Sequence, residues 1–100
     1  MKHLLLGWIA AAVLGTPAWA NLALAQKKNC MACHTVDRKV VGPAYKDVAK
    51  KYTGQDVVVR LAIKIRQGGS GAWGVITMPA NPQVSETEAR ELATWVLSLK

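Results

Sequence analysis

Cys30-Met31-Ala32-Cys33-His34 is the stretch that decides the fold of this 100-residue chain. Two thiols three positions apart lie on one side of a single helical turn, and an imidazole follows directly. This is the attachment pattern for c-type haem, in which each cysteine adds across a vinyl group of the porphyrin and the histidine binds the iron. One haem c, attached covalently through Cys30 and Cys33, is therefore the favoured interpretation.

Two other interpretations of the cysteine pair compete with haem attachment. A zinc site needs four ligands, and the chain has no further cysteine and one other histidine, His3, so zinc is disfavoured. A redox-active dithiol of the thioredoxin type lies within a strand-helix-strand pattern, which the sequence does not show. A dithiol or disulfide, as in a thiol oxidoreductase, stays open as the remaining alternative.

Residues 1–20 have the pattern of a cleaved secretory signal peptide. A short basic start, the apolar run 4–14 and a small-x-small pattern at the end of 16–20 are its three parts. Cleavage after Ala20 would leave residues 21–100 as one monohaem domain. An uncleaved anchor is the alternative, but a membrane span needs about 20 apolar residues and this run is shorter. The export signal predicts a periplasmic location.

Lysine and arginine outnumber the acidic residues, 13 to 6, and the formal net charge is +7. The excess is uneven, because residues 21–66 carry ten bases and three acids while residues 67–100 carry two bases and three acids. Such a basic surface favours acidic partners, nucleic acid or anionic lipid, and composition alone does not choose among them. A domain of about 80 residues with few large aromatics also needs a staple, and a buried porphyrin would be one.

Four helical segments and no convincing strand are predicted from the apolar periodicity and the capping signals. Thr53 with Asp56 resembles a capping box for the third segment. Ser85 and Glu88 form a clearer capping box for the last one, which continues to the C-terminus and whose end Lys100 is expected to close. The predicted segments cover residues 22–29, 44–52, 57–67 and 85–100.

The segment between the third and fourth helices, residues 68–84, is rich in glycine and contains Met78-Pro79. A loop of that length in a small domain is usually functional or wrapped around a ligand. Met1 is lost with the signal peptide and Met31 lies between the two cysteines, so Met78 is the thioether able to reach the opposite face of a haem. A methionine that only fills a gap in the core is the alternative, and a lysine is the fallback sixth ligand.

Five motifs occur along the chain in an order that is specific to one family. They are Cys30-Met31-Ala32-Cys33-His34, Val41-Gly42-Pro43-Ala44-Tyr45-Lys46-Asp47-Val48-Ala49, Gly71-Ala72-Trp73-Gly74, Met78-Pro79 and Ala93-Thr94-Trp95-Val96-Leu97-Ser98. This order resembles the short bacterial class I cytochromes c, above all the small periplasmic type that donates electrons to nitrite reductase. The resemblance covers nearly all of residues 22–100 and implies an all-α fold, with about four helices wrapped around one haem. It also implies His34 and Met78 as the axial ligands of the iron.

The resemblance implies further contacts around the haem. The Pro43 carbonyl would accept a hydrogen bond from the far ring nitrogen of His34. Trp73 would donate its indole N–H to a haem propionate, Lys64 stands where the family often has a propionate-binding base, and Asn81 would hydrogen-bond near the axial sulfur. For the last three, a purely structural role in packing, on a solvated face or in a turn is the alternative.

The chain departs from the family pattern at three places. Asn29 replaces the glycine usually found before the first cysteine, and asparagine also accepts strained backbone angles. Val75 and Thr77 stand where relatives often have proline, and the segment 78–85 is one residue longer than in similar members. These departures concern local backbone detail and leave the haem assignment intact.

A soluble periplasmic electron carrier, not an enzyme, is the function that the resemblance implies. With both axial positions filled by protein, the iron has no open position for a substrate, and one-electron cycling between Fe(III) and Fe(II) is the chemistry left. A haem enzyme or gas sensor with labile Met78 ligation is the alternative function.

The expected partners are redox proteins with acidic docking patches in a respiratory or denitrification chain. They would be a quinol-oxidising complex upstream, and nitrite reductase, an oxidase or a peroxidase downstream. Nucleic acid is disfavoured for an exported chain, and a monomer without a stable membrane anchor is expected. The bases expected to steer docking are Lys27, Lys28, Lys39, Lys46 and Lys50.

Overall fold

The computed structural model describes residues 18–100 of the chain. The predicted signal peptide falls largely on residues 1–17, which lie outside the described residues, so its cleavage stays a prediction. Within the described range, no helix is long and apolar enough to cross a membrane.

Four helices, a short 3-10 turn and one small hairpin make up the described part of the chain. Helix α1 covers Ala18–Lys27, and the 3-10 turn at Cys30–Ala32 follows it. Helices α2, α3 and α4 cover Tyr45–Lys51, Val58–Gln67 and Glu86–Ser98, and strands β1 and β2 cover Gly69–Gly71 and Gly74–Met78. The prediction of four helices is therefore confirmed.

The prediction of no strand is wrong for the segment after α3. Strands β1 and β2 pair antiparallel, with Gly69 opposite Met78 and Gly71 opposite Gly74, and the register is irregular between the two pairs. Strands are normally recognised from alternating β-branched residues, and the Gly-Ser-Gly of β1 carries none. The hairpin matters for the site because it places Met78 at the end of a paired strand.

Two predicted helix starts differ from the structure. Thr53 does not cap α3, because its hydroxyl donates to two carbonyl oxygens in the last turn of α2, at 3.2 and 3.0 Å. Val57 is the N-cap of α3 instead, and its side chain makes no capping hydrogen bond. Helix α1 already includes Ala18, the first described residue, whereas the prediction started it at residue 22. A hydroxyl side chain in the sequence can thus indicate that a helix end is near without showing which of two helices it caps.

The capping box of α4 is confirmed. The Glu88 N–H donates to Ser85 Oγ at 3.1 Å, and the Ser85 N–H donates to Glu88 Oε1 at 2.9 Å. This backbone hydrogen bond and the Lys28 ammonium, 3.3 Å from the same oxygen, hold the pKa of Glu88 below its ordinary 4.5. The helix ends at Ser98, and Lys100 lies beyond its last turn instead of closing it as predicted.

The core lies where α4 packs against α1, α2 and α3. On α4, Leu92 is buried, and the ring of Trp95 meets Tyr45 of α2 edge-on with centroids 5.6 Å apart. Leu61 and Ile65 of α3 are only partly buried, because they face the cavity described below. The predicted inner face of α2 is buried throughout, at Tyr45, Val48, Ala49 and Tyr52.

Candidate haem-binding site

A cavity of about 270 Å³ opens between the cysteine motif, the inner faces of three helices and the hairpin. Its wall is mainly apolar, with Val48, Leu61 and Leu92 contributed by α2, α3 and α4. Asn81 is not among the described residues that line it. The other predicted site residues all line this one cavity: Cys30, Cys33, His34, Pro43, Lys64, Trp73 and Met78.

A sharp turn after α1 positions the cysteine motif. Asn29 has a left-handed backbone with φ 68°, which confirms the expectation for the residue that stands in place of glycine. The 3-10 turn then closes, because the N–H groups of Cys33 and His34 both donate to the carbonyl oxygen of Cys30, at 3.2 and 3.1 Å. Both thiols are free and line the cavity. The turn therefore presents two thiols and an imidazole to the same space.

Three contacts fix the ring of His34. Its Nδ1 lies 2.8 Å from the carbonyl oxygen of Pro43 and must be the donor, since a carbonyl oxygen only accepts. The Tyr45 ring stacks on the imidazole with centroids 4.8 Å apart and planes 20° apart. Gly42 lies against the ring as well, since a Cβ built there would be 2.5 Å from Cε1. With Nδ1 bonded and the ring held, Nε2 keeps its lone pair for a metal.

Met78 ends β2 and lines the cavity with a half-buried side chain. The backbone that follows it packs on Gly68, the residue that ends α3. A Cβ built on Gly68 would meet the Met78 carbonyl oxygen and would be 2.8 Å from the Ala80 nitrogen. Gly68 also has φ 75°, and its N–H donates to the Lys64 carbonyl at 2.8 Å. Glycine is required here both for the backbone angle and for this close approach.

Asn81 ties the segment after Met78 to α3. Its backbone N–H donates to the Arg66 carbonyl at 3.1 Å. Its side-chain amide donates to the carbonyl oxygens of Ile65 and Pro79, at 2.9 and 3.3 Å. The side-chain amide thus donates to the backbone of α3 and to the backbone of its own loop. A hydrogen bond near the Met78 sulfur stays a prediction.

Gln83 and Lys28 form a link that the sequence reasoning missed. The Gln83 amide donates to the Lys28 carbonyl at 3.0 Å and to Asn81 Oδ1 at 3.1 Å, and the Lys28 ammonium donates to the Gln83 carbonyl at 3.1 Å. The link joins the chain just before the cysteine motif to the loop after Met78. Because 55 positions separate the two residues, no local pattern reveals it.

Trp73 and Lys64 lie on the rim of the cavity. Trp73 occupies the turn between the two strands and is 46% exposed. The Lys64 ammonium is 3.0 Å from the point where a Cβ on Gly69 would lie, so it reaches across to β1. The Lys51 ammonium lies 5.1 Å from the centroid of the Trp73 ring. The predicted roles of Trp73 and Lys64 toward haem propionates stay predictions.

The Cys30 thiol does not have the electrostatics of a reactive thiol. Burial raises the pKa of the Cys30 thiol above its ordinary 9.0, and a hydrogen bond with the Tyr45 hydroxyl offsets this rise only in part. Thiol oxidoreductases need the reverse, a thiolate stabilised near neutral pH. In the described part of the chain, no group of three or more His, Cys, Asp and Glu side chains could hold a metal ion, so a zinc site has no support there.

The residues that line the cavity fit an iron porphyrin. The Nε2 of His34 and the thioether of Met78 are the donor pair that holds haem iron in many c-type centres. Cys30 and Cys33 lie in the same wall as the imidazole, where attachment through both sulfurs requires them. The apolar walls suit a flat hydrophobic ring, and Lys64 at the rim suits its acidic substituents.

Comparison with known sequences identifies the family that the chain resembles. The family profile described as Cytochrome c matches residues 22–100. The cytochrome c-552 of Hydrogenobacter thermophilus is 53% identical to this chain over 102 residues, with both chains covered in full. The cytochrome c-552 of Nitrosomonas europaea is 50% identical over 103 residues, also with full coverage of both.

Comparison with solved structures gives the same result for the fold. The crystal structure of wild-type Nitrosomonas europaea cytochrome c552 superposes with a TM-score of 0.76 at 54% identity, covering 79% of this chain and 99% of that one. The class 1 cytochrome MtoD from Sideroxydans lithotrophicus superposes with a TM-score of 0.70 at 31% identity, covering 85% and 98%. The helices and the hairpin around the cavity are therefore similar to those of solved class 1 cytochromes.

Proposed function

Because the chain belongs to the cytochrome c family, among its small monohaem class I members, we propose that it is a soluble periplasmic carrier of single electrons. The cofactor is haem c, and Cys30 and Cys33 stand in its attachment motif. We propose His34 and Met78 as the axial ligands of the iron. The carrier would act as a monomer in a respiratory or denitrification chain.

One observation carries the proposal: His34 and Met78 line the same cavity while Nδ1 of His34 is bonded to the Pro43 carbonyl. When bound, the haem supplies the Fe(III)/Fe(II) couple. A protein ligand on each axial side leaves no position for a substrate, so the site suits a carrier better than an enzyme. Because a thioether is a soft ligand that favours Fe(II), we expect a positive reduction potential.

The residues around the ligands keep this arrangement in place. The Pro43 carbonyl and the Tyr45 ring hold the imidazole in one orientation, and the hydrogen bond makes Nε2 a better donor. We propose that Trp73 and Lys64, both on the rim, bind the haem propionates. Asn81 ties the loop that follows Met78 to α3, because its side-chain amide donates to the Ile65 carbonyl.

The ligand assignment is tested by replacing each of the two methionines of the described chain with leucine. Both replacements nearly conserve volume, so the change in packing alone is expected to cost less than about 1.5 kcal/mol of stability. Met78→Leu should abolish the near-infrared methionine-to-iron band of the oxidised protein and should lower the reduction potential. Met31→Leu also removes a thioether, but at a position between the two cysteines that is not a proposed ligand. This variant should keep the near-infrared band and the reduction potential of wild type.

Retention of the near-infrared band in Met78→Leu, or its loss in Met31→Leu, would contradict the ligand assignment. Rapid binding of carbon monoxide by the reduced wild-type protein would favour the alternative, a haem enzyme or gas sensor with labile Met78. Haem that leaves the chain on denaturing electrophoresis would contradict covalent attachment through the two thiols.

The basic surface supports partners with acidic docking patches, such as a quinol-oxidising complex, nitrite reductase, an oxidase or a peroxidase. Two of the five lysines predicted to steer docking already form ion pairs within the protein. Lys28 is bonded to Glu88 and to the Gln83 carbonyl, and Lys46 pairs with Asp37 at 2.8 Å. Lys27, Lys39 and Lys50 are exposed and form no ion pair within residues 18–100, and Lys39 also lines the cavity.

Steering by this surface is tested with two small oxidants of opposite charge. Oxidation of the reduced protein by anionic hexacyanoferrate(III) should slow severalfold as ionic strength rises, since salt screens the attraction. Oxidation by the cationic tris(phenanthroline)cobalt(III) should become faster. Lys39→Gln should weaken the first dependence more than Lys100→Gln, which removes the same charge at the C-terminus. Rates with both oxidants that are indifferent to salt would contradict the steering proposal.

A further inference from the structure

The ammonium of Lys51 lies near two aromatic rings. It is the last residue of α2, and its ammonium lies 5.1 Å from the centroid of Trp73 and 5.8 Å from that of Tyr52. The Arg60 guanidinium lies 5.3 Å from the Tyr52 ring as well. A cation within about 6 Å of a ring centroid is attracted to the ring, and two rings restrict it more than one. Lys51 is therefore an exposed lysine whose ammonium is attracted to two rings.

The ring that Lys51 contacts belongs to the rim of the haem cavity. Trp73 lines the cavity, and so does Lys64, whose ammonium reaches across to β1 from the neighbouring helix. Among residues 18–100 the ion pairs involve Lys28, Lys46 and Arg90, so neither Lys51 nor Lys64 is neutralised by a carboxylate of the described chain. One uncompensated ammonium, that of Lys51, thus lies over a half-exposed indole at the cavity edge, and a second, that of Lys64, lines the same cavity beside β1.

We propose that Lys51 is a positioning residue for the haem: it holds the Trp73 ring against the cavity edge and adds a positive charge there. This inference rests on the haem of the proposed function but not on the identity of the sixth ligand. A positive charge near the iron favours the reduced, less positive state, so removal of the charge lowers the reduction potential. An indole that loses its cation also moves more freely and exposes its N–H to solvent.

Lys50 provides a matched control for the test. It is the preceding residue of α2, it is exposed, and its removal changes the net charge by the same amount. In the haem-loaded protein, Lys51→Gln should lower the Fe(II)/Fe(III) ratio at a fixed ambient potential about threefold, and Lys50→Gln by less than half of that change. Lys51→Arg keeps the cation and should keep the wild-type ratio. Spectroelectrochemical titration measures all three.

A second measurement separates positioning from charge alone. The solvent exchange rate of the Trp73 indole N–H, followed by NMR, should rise severalfold in Lys51→Gln and stay unchanged in Lys50→Gln. Equal potential shifts for the two glutamine variants would overturn the proposal, and so would an unchanged exchange rate in Lys51→Gln. The near-infrared methionine band reports on the opposite side of the site, so its absence from wild type would sink the Met78 ligation without deciding the role of Lys51.

Discussion

Alanine in place of Gly42 is expected to destabilise the haem-loaded protein by about 1–3 kcal/mol and to displace the imidazole of His34. A Cβ at this position would lie 2.5 Å from Cε1, 2.9 Å from Nδ1 and 3.0 Å from Nε2 of the ring. Real Cβ atoms essentially never approach another atom within 3.0 Å, so the ring has to move. The ring has little room to do so, because Tyr45 stacks on it at 4.8 Å and Pro43 holds Nδ1.

Two measurements test the Gly42 prediction: guanidinium unfolding of the haem-loaded protein, and the NMR signal of the His34 Nδ1 proton. Gly54→Ala is the control, because Gly54 has φ 78° but nothing within 4 Å of its Cβ position. It should lose about 1 kcal/mol from backbone strain alone and keep the His34 signal of wild type. A Gly42→Ala protein with wild-type stability and an unchanged His34 signal would show that the imidazole is not confined as the structure indicates.

What could be predicted from the sequence is what short-range chemistry determines. The cysteine motif, the left-handed Asn29 before it and the capping box of Ser85 and Glu88 each depend on a few neighbouring residues, and each is present in the structure. The inner face of α2 could be predicted for the same reason, because apolar residues at helical spacing must share one side. That His34 and Met78 line one cavity could be predicted because the chain offers few other side chains able to bind iron.

The contacts that the sequence did not reveal either join residues that are distant in the chain or depend on a choice between nearby partners. Gln83 bonds to Lys28 across 55 positions, and Lys51 meets Trp73 only because α2 ends beside the hairpin. Strand β1 of the hairpin was missed because its Gly-Ser-Gly lacks the β-branched residues from which strands are recognised. The Thr53 hydroxyl could bond to the end of α2 or to the start of α3, and in the structure it donates to carbonyl oxygens of α2. These choices depend on tertiary geometry rather than on local preference.

Gly68→Ala is expected to disturb the proposed axial ligand Met78, because the backbone that follows Met78 packs directly against Gly68. Its φ of 75° and ψ of −165° belong to a region that only glycine adopts without strain. A Cβ there would also meet three backbone atoms: the Met78 carbonyl oxygen, the Ala80 nitrogen at 2.8 Å and the Pro79 carbonyl carbon at 2.8 Å. Backbone strain and overpacking together should destabilise the protein by about 2–4 kcal/mol.

The near-infrared methionine-to-iron band of the oxidised protein, normalised to the folded haem-loaded fraction, measures how far the substitution disturbs the bond between Met78 and the iron. Gly68→Ala should weaken or shift the band, because backbone cannot yield as a flexible side chain would, so the strain reaches the Met78 sulfur. Gly54→Ala shares the positive φ without the contacts and should keep the band. If Gly68→Ala loses stability while its band matches wild type, the clash is absorbed within α3 and the loop does not depend on Gly68. If the band changes with little loss of stability, the loop is the softer element and Gly68 acts mainly on the ligand.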